Sequence, residues 1–314
     1  MNTKIVEALK VIEIPYGDIG WGLDVNNKEA GIQSDLQYWT EPRELHDYHL
    51  CGIYHTADVP VTINEIQYAP KDGERVYETL SRSVSDAVCT GLLEGKSVLL
   101  TGGYCMYGVP VAGGIQRAFG PETKVGIIYL DAHGDINTPE STNSGMLGGM
   151  PLATVLGLCF EDWRRFVGIE VPYRDTDVLL SDARDVDQGE LANLSRLGVK
   201  VLDTQAFCDA DQWKAAVEEL AKRVDVLYLH VDADILDGRY VPDHFTIEMG
   251  GPDINTVLRN IKTVMDTGKV AVYNLNSIYF NTGEEKEGRE VSTLSGLKLI
   301  AAGLGNWKKC PSLG

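Results

Sequence analysis

The sequence predicts an α/β protein in which helices cover both faces of a mostly parallel sheet. Five apolar runs have the length of strands that are buried on both faces, namely Ser97–Thr101, Val125–Leu130, Asp177–Ser181, Val224–Val231 and Lys269–Leu275. Four amphipathic segments alternate with them, namely Glu74–Leu93, Gln188–Leu197, Thr204–Arg223 and Ile254–Thr267. Alternation of strand and helix indicates βαβ units and a three-layer α/β/α fold. No shift in composition marks a second domain, so we expect residues 1–314 to form a single domain.

The chain is strongly acidic. Its 314 residues include 46 Asp and Glu against 28 Lys and Arg, which gives a formal net charge of -18. Nucleic acids and anionic membranes bind clustered Lys and Arg, so this balance predicts neither partner. The excess of acid suits a protein that binds metal cations or cationic substrates, although it also serves solubility alone.

The cysteines and the apolar segments bear on the compartment. The six cysteines are dispersed without a CxxC pair, which is typical of reduced thiols in a cytoplasmic protein. Residues 1–22 carry acids and no long apolar run, so we expect no secretory signal, and no stretch approaches the ~20 apolar residues of a membrane span. The charged segment Gly283–Glu290 is expected to be a loop. Residues 1–70 receive no predicted role.

Two of the predicted strands end in groups that bind metals. One strand is followed by Asp131, His133 and Asp135, and another by Asp232 and Asp234. A spacing of two residues places the members of each motif on one side of an extended chain. Aspartates this close repel one another unless a cation neutralises them. A single motif could be a strand end with solvated acids, but two of them on separate buried strands indicate a site for Mn²⁺, Co²⁺, Ni²⁺ or Zn²⁺.

Three segments resemble the metal-binding motifs of the arginase–agmatinase (ureohydrolase) superfamily. Asp131 to Pro139 is very similar to the second motif, and Asp232 to Asp237 looks like the third. Thr101–Cys105 stands where the first motif, Gly-Gly-Asp-His, is expected. The resemblance runs from about residue 98 to residue 276. It implies a single α/β/α domain with a mostly parallel, eight-stranded sheet.

The resemblance also implies two Mn²⁺ ions, bridged by hydroxide, that hydrolyse C–N bonds of guanidino or amidino groups; Zn²⁺, Co²⁺ and Ni²⁺ are alternatives. The positions that match metal ligands of the family are Cys105, Asp131, His133, Asp135, Asp232 and Asp234. By this resemblance Asp131 and Asp232 would bridge the two ions. Asp135 would bind the first ion and also orient the hydroxide.

Two further segments resemble those with which arginases hold the amino-acid end of the substrate. The matching positions are Asn137, Thr142 and Ser144 for the α-carboxylate and Asp185, Asp187 and Glu190 for the α-amino group. A polar turn and an acidic helix start would look similar on their own. Because the matches form a set, the resemblance implies a small amino-acid-like substrate. Family members usually form trimers or hexamers, so it also implies a homo-oligomer.

The first motif departs from the family. Cys105 takes the place of a metal-binding histidine, and Tyr104 takes that of the neighbouring acid. A thiolate can bind the same ion, but its negative charge makes a bound water harder to ionise, and sulfur favours softer ions such as Zn²⁺. Alternatively, Cys105 is a buried free thiol and the first metal site is weak or empty.

Two more departures concern the reacting end of the substrate. Gly148 stands where the family carries a histidine that is a candidate for proton transfer, and Asn274 where it carries a glutamate that pairs with the guanidinium. An amide cannot neutralise a guanidinium, but it can donate to and accept from a neutral group. We therefore expect an α-amino acid whose side chain ends in an N-hydroxyguanidino, ureido or formimidoyl group, with arginine disfavoured.

Two histidines are further candidates for catalysis. His230 alternates with Asp232 and should face the same side, either as a partner of the metal ligands or as a packed strand residue. His244 follows in a loop bounded by proline, where it could replace the missing proton donor. The predicted activity is metal-dependent hydrolysis of a C–N bond. Two alternatives remain, a non-catalytic relative that keeps the amino-acid pocket and another reaction, such as deacetylation, at the same metal centre.

Overall fold

The computed structural model describes residues 6–17, 20–38, 43–278 and 288–313. The strands within these ranges are β1 (Leu9–Ile14), β2 (Tyr16–Gly17), β3 (Gly22–Leu23), β4 (Ile32–Gln33), β5 (Gln37–Tyr38), β6 (Val61–Glu65), β7 (Ser97–Gly102), β8 (Val125–Asp131), β9 (Val178–Asp182), β10 (Lys200–Leu202), β11 (Val226–Asp232) and β12 (Val270–Asn276). Eight of them form one sheet in the order β10-β9-β8-β11-β12-β7-β1-β6. Every pair of neighbours in this sheet is parallel, so the predicted eight-stranded α/β fold is confirmed.

Helices cover both faces of the sheet. Those within the described ranges are α1 (Arg43–Leu50), α2 (Val76–Leu93), α3 (Gly108–Phe119), α4 (Pro151–Val155), α5 (Glu161–Phe166), α6 (Gln188–Leu194), α7 (Thr204–Cys208), α8 (Ala210–Arg223), α9 (Ile254–Met265) and α10 (Arg289–Leu304). One hydrophobic core joins the sheet to α2–α5, and a second core joins its opposite face to α1 and α7–α10. None of the described helices has the length and apolarity that a membrane crossing requires.

The predicted elements are present with some corrections. The five predicted strands all belong to the sheet, with ends shifted by up to two residues. The single helix expected over Thr204–Arg223 is wrong, because Asp209 interrupts it and caps α8 by accepting hydrogen bonds from the backbone of Asp211 and Gln212. Of the segment expected to be a loop, residues 283–287 lie outside the described residues, whereas residues 289 and 290 begin α10.

The order of the strands creates a crevice at the centre of the sheet. From β8 the chain continues through β9 to β10 at one edge, whereas β11 and β12 lie on the other side of β8. Ligands of such sheets bind beyond the carboxyl ends of the strands, at the point where the order reverses. The register pairs Leu130 of β8 with Val231 of β11, so Asp131 and Asp232 leave the two strands at the same level.

A glycine turn brings the segment Thr101–Cys105 to the same crevice. Gly102, the last residue of β7, and Gly103 have φ of +79° and +67°, a backbone region that favours glycine. A Cβ on Gly102 would lie 2.6 Å from the carbonyl oxygen of Ile14, so the close approach to β1 also requires glycine. The chain then passes through a 3₁₀ turn that begins at Cys105 and continues into α3.

Candidate metal centre

Four carboxylates are buried together at the ends of β8 and β11. Asp131, Asp135, Asp232 and Asp234 are each at most 4% exposed. Within the described ranges, no Lys or Arg side chain lies at ion-pair distance from any of the four. Burial and the neighbouring carboxylates raise the pKa of Asp131 well above its usual range. A buried acid cluster without a Lys or Arg partner is the environment that cations neutralise.

One side of the cluster contains an imidazole. His133 Nδ1 lies 2.9 Å from Asp234 Oδ2 and 3.4 Å from Asp131 Oδ1. Although burial acts to raise the pKa of Asp234, the His133 imidazole outweighs it and lowers that pKa. One ligand atom from each of these three residues lies within 4.8 Å of the others, which is the spacing of a metal site. On the outer side, His133 Nε2 lies 3.8 Å from Glu248 and 3.9 Å from Asp185.

The thiol of Cys105 lies on the other side of the cluster. Its Sγ is 2.6 Å from Asp232 Oδ2 and 3.9 Å from Asp131 Oδ2. Burial, followed by the repulsion of the carboxylates, raises the pKa of this thiol well above its usual range. The protonated thiol therefore donates to Asp232, and a cation at this position would favour the thiolate.

Asp135 is held by a tyrosine. Its Oδ2 accepts a hydrogen bond of 2.6 Å from the hydroxyl of Tyr129. Its backbone has φ of +50°, an uncommon conformation for a residue with a Cβ, and its carbonyl oxygen accepts from the first turn of α4 at Leu152 and Ala153. Asp135 lines the cavity described below.

His230 is fully buried beneath the carboxylates. Its ring is stacked on Tyr129, with centroids 3.9 Å apart and planes inclined by 6°. Nδ1 lies 3.0 Å from the hydroxyl of Tyr228 and 3.1 Å from Nδ2 of Asn274. Nε2 has no hydrogen-bond partner among the residues that the structure describes. Burial lowers the pKa of His230 to about 3, so the ring is neutral at physiological pH.

His244 comes from the loop between β11 and α9. Its Nε2 lies 3.3 Å from Asp232 Oδ1, and its Nδ1 lies 2.7 Å from the carbonyl oxygen of Thr246. Atoms of Asp232, Asp234 and His244 fall within 4.8 Å of one another. His244 is therefore close enough either to bind a cation or to transfer a proton beside one.

A cavity of about 260 Å³ opens above the carboxylates. Five of the predicted substrate residues line it, namely Asn137, Ser144, Asp185, Asp187 and Glu190. Thr142 lies behind this wall, where its Oγ1 accepts from the backbone of Gly145 at 3.0 Å. Asn274 also lies away from the cavity, since it is fully buried against His230.

The acids of the rim also build the start of α6. Asp187 accepts from the Glu190 backbone at 2.8 Å, and Glu190 accepts from the Asp187 backbone at 3.2 Å, which is a capping box. Asn137 donates to the other oxygen of Asp187 at 3.1 Å. Asp185 differs from these residues, because 63% of its side chain is exposed.

Several residues of the site escaped the sequence analysis. Tyr129 and Tyr228 precede Asp131 and His230 by two positions, so the alternation of a strand could have placed them on the same face. Glu248 lies in an irregular loop, and no pattern in the sequence marks it.

Comparisons with known proteins identify the family of the chain. The model of the arginase family matches residues 28–284. The chain belongs to the arginase family. Arginase from Brevibacillus brevis is 32% identical over 177 residues, which are 55% of this chain and 57% of that protein. Arginase from Bacillus caldovelox is 25% identical over 247 residues, which are 76% of this chain and 81% of that protein.

Solved structures show the same fold. The arginase of Entamoeba histolytica, in complex with L-ornithine, superimposes with a TM-score of 0.78 at 19% identity, covering 97% of this chain and all of that one. As a member of the arginase family, which consists of binuclear metal enzymes, the chain is a metal-dependent amidinohydrolase that acts on C–N bonds of linear amidines. The comparisons do not favour the non-catalytic alternative. The buried acids and the adjacent imidazoles fit divalent cations.

Proposed function

We propose that this arginase-family enzyme hydrolyses a C–N bond in the side chain of a small α-amino acid that ends in a guanidino, N-hydroxyguanidino or ureido group. One observation carries the proposal: the floor of the cavity is formed by buried carboxylates and imidazoles, whereas its rim carries side chains suited to an amino-acid head. A substrate of this class would place its head at the rim and its reacting carbon at the floor.

The metal ligands are proposed as two overlapping sets. The second cation is assigned to His133 and Asp234, the first to Cys105 and Asp135, and both share Asp131 and Asp232. Two divalent cations bound here would supply a hydroxide near neutral pH, because they lower the pKa of a coordinated water. Mn²⁺ is the first candidate, and Zn²⁺, Co²⁺ and Ni²⁺ are alternatives, because a sulfur ligand favours softer ions.

The rim is proposed to recognise the amino-acid head. Asn137 and Ser144 can donate to the α-carboxylate, while Asp185 and Asp187 can accept from the α-amino group. We assign Glu190 to holding Asp187 through the capping box, and Thr142 to holding the loop that carries Ser144.

The side-chain end of the substrate is proposed to be less basic than arginine. Asn274, the position where the family pairs a glutamate with the guanidinium, is buried away from the cavity and carries no charge. His244 lines the cavity beside Asp232 and is assigned as the proton donor to the leaving amine, while Asp135 orients the nucleophile.

We further propose that the enzyme acts in the cytoplasm as a single-domain chain within a homo-oligomer of three or six copies. The free cysteines support a reducing compartment, and one continuous sheet between two cores supports a single domain. Family resemblance supports the oligomer. Light scattering coupled to size-exclusion chromatography measures its mass directly, and a monomeric protein would contradict it.

The activity is tested on metal-free protein loaded separately with Mn²⁺, Zn²⁺ and Co²⁺. The substrates are L-arginine, N-hydroxy-L-arginine and L-citrulline, and agmatine serves as the matched compound that lacks the α-carboxylate. We expect turnover of at least one amino acid, with a higher kcat/KM for a less basic side chain than for arginine and little turnover of agmatine. Absence of turnover on every compound with saturating metal would contradict the proposal.

A further inference from the structure

We infer that His230 Nε2 binds the first cation together with the Cys105 thiolate and the Asp131 carboxylate. The imidazole that the first motif lacks is thus supplied by strand β11. This inference rests on the proposed two-cation centre and adds a ligand to it. A ring nitrogen of His230, Cys105 Sγ and an oxygen of Asp131 lie within 4.8 Å of one another, so a single ion can contact all three.

The hydrogen bonds of the ring favour Nε2 as the metal ligand. Nδ1 is engaged by Tyr228 and Asn274, whereas Nε2 is buried and has no partner within the described ranges. A buried nitrogen without a partner is costly, and metal-binding histidines usually donate their other N–H to a neighbouring oxygen. The hydroxyl of Tyr228, 3.0 Å from Nδ1, can accept such a hydrogen bond.

Asn274 can also favour the tautomer of His230 that carries its proton on Nδ1. Its Oδ1 has no partner among the described residues, and its Nδ2 lies 3.1 Å from Nδ1 of His230. Rotation of the side-chain amide by 180° exchanges Oδ1 and Nδ2, so that Oδ1 can accept a hydrogen bond from Nδ1–H of His230. The surroundings accommodate either orientation, because the two have nearly the same shape. Asn274 and Tyr228 are therefore positioning residues, which leave the lone pair of Nε2 directed at the cation.

The surroundings hold the ring in place for this role. His230 is stacked on Tyr129, and a Cβ on Gly108 at the start of α3 would lie only 3.5 Å from the ring. The ring is thus fixed between a strand and a helix before any ion binds. A neutral imidazole also adds no charge to a cluster that already contains four carboxylates and a thiol.

The donor set predicts the preferred ion. Sulfur, imidazole nitrogen and carboxylate oxygen together favour a borderline cation over a hard one. We therefore expect the first site to prefer Zn²⁺ or Co²⁺ to Mn²⁺, whereas the second site, with carboxylates and His133, accepts any of the three. The protein would then bind two different cations in its two sites.

Titration of the metal-free protein with Co²⁺ tests the assignment without an activity assay. Wild type should bind two equivalents and show a thiolate-to-cobalt charge-transfer band in the near ultraviolet. His230→Phe keeps a ring that can stack on Tyr129 and should bind the first-site ion at least ~10-fold more weakly, with a diminished band. Tyr228→Phe keeps the imidazole and removes only an acceptor of Nδ1–H, so it should retain two equivalents, with a first-site affinity between those of wild type and His230→Phe. Cys105→Ser should lose the band.

The outcomes separate this inference from the proposed function. If wild type binds two Co²⁺ and His230→Phe gives the same affinities and spectrum, the His230 assignment is overturned while the hydrolase proposal stands. If wild type binds no Co²⁺, both are overturned. A crystal structure of zinc-loaded wild type keeps the test independent of any variant, because a ligating Nε2 lies ~2.0–2.1 Å from zinc and a sulfur ligand ~2.3 Å from it. A zinc ion in the first site that does not contact Nε2 would also overturn the assignment.

Discussion

The two halves of the metal centre differ in how closely they follow the arginase family. The His133 half, which comprises His133 and Asp234, retains the residue types of the family motifs. The Cys105 half, which comprises Cys105, His230 and Asp135, carries a thiol where the resemblance implies a histidine, and it contains a histidine on the neighbouring strand β11. Both halves share Asp131 and Asp232 at the ends of β8 and β11.

The difference indicates that a ligand missing from one sequence motif can be supplied by a residue of another strand that lies nearby in the fold. Cys105 stands where the resemblance to the family implies an imidazole, and a ring nitrogen of His230 lies within 4.8 Å of its sulfur. Tyr228 and Asn274 around that ring provide a hydroxyl and an amide at hydrogen-bond distance from its Nδ1. A motif read along the sequence therefore shows only a cysteine at this position, whereas the structure places the imidazole of His230 near that cysteine.

The largest effect is expected from a substitution that removes a ligand of both cations. Asp131→Asn removes a carboxylate proposed to bind both cations, so both should be lost or weakened. Removing one charge from a buried ionic cluster costs on the order of 4 kcal/mol, equivalent to a loss of ~10³-fold in kcat/KM. Metal analysis and steady-state kinetics measure this. Two tightly bound ions and normal turnover in the variant would contradict the shared-ligand assignment.

A smaller effect is expected from returning a family residue to the Cys105 side of the cavity. Gly148 lines the cavity, and a Cβ there would contact nothing within 4 Å, so a histidine has room. Because a positioned acid or base contributes ~10²-fold or more, and His244 is proposed to supply part of this, Gly148→His should raise kcat by roughly 10-fold. The pH profile of kcat should gain a new titrating group. Gly148→Gln, without an ionisable group, is the matched control and should not raise kcat.

Substitutions at the rim of the cavity should change substrate binding, whereas substitutions in either half of the metal centre should change metal binding. Asp185→Asn removes an exposed charge that is proposed to bind the α-amino group, so KM should rise by about 10-fold while kcat and metal content stay the same. Asp187→Asn is the informative contrast, because Asp187 also caps α6 and its replacement should lower the melting temperature as well. An unchanged KM in Asp185→Asn would exclude this residue from substrate binding.

The smallest effect on activity is expected from the substitution of Glu44, a buried acid outside both halves of the metal centre. Burial, opposed by the hydrogen bond from Tyr48, raises the pKa of Glu44 to about 8. Because the folded-state pKa is raised, the stabilising contribution is fully present below ~4.3, the ordinary pKa of glutamate, and is lost as the pH rises through 8. Metal-free protein should therefore lose free energy of unfolding between pH 5 and pH 9.

Glu44→Gln isolates this contribution. The free energy of unfolding of the variant should not show this decrease with pH. Relative to wild type, the variant should therefore become more stable by on the order of 4 kcal/mol between pH 5 and pH 9. Denaturant unfolding at each pH measures the difference, and the metal content should not change. Parallel slopes for both proteins would show that Glu44 does not titrate in this range.

The sequence predicted the sheet and the His133 half for simple physical reasons. Continuous apolar runs such as Val125–Leu130 are typical of strands buried on both faces, and parallel strands present their ligands at the ends of such runs. The break at Asp209 escaped prediction, because an aspartate within an apolar periodicity caps a new helix through a local hydrogen bond that periodicity does not reveal.

The Cys105 half could not be predicted in the same way. That β12 lies beside β11, with Asn274 opposite His230, is a fact of strand order that the linear sequence does not contain. Without this pairing, Asn274 resembled a substrate contact. The contact of His230 with the start of α3 likewise depends on the glycine turn at Gly102 and Gly103, which brings the chain close to β1.

Tyr129 links two of the groups proposed to bind the first cation. Its ring supports the imidazole of His230, and its hydroxyl fixes the carboxylate of Asp135. Both groups are thus ordered when the hydrophobic core forms, and little conformational freedom remains to be lost when an ion arrives. Preorganisation of this kind would let a site with an unusual donor set hold its ion as firmly as a conventional one.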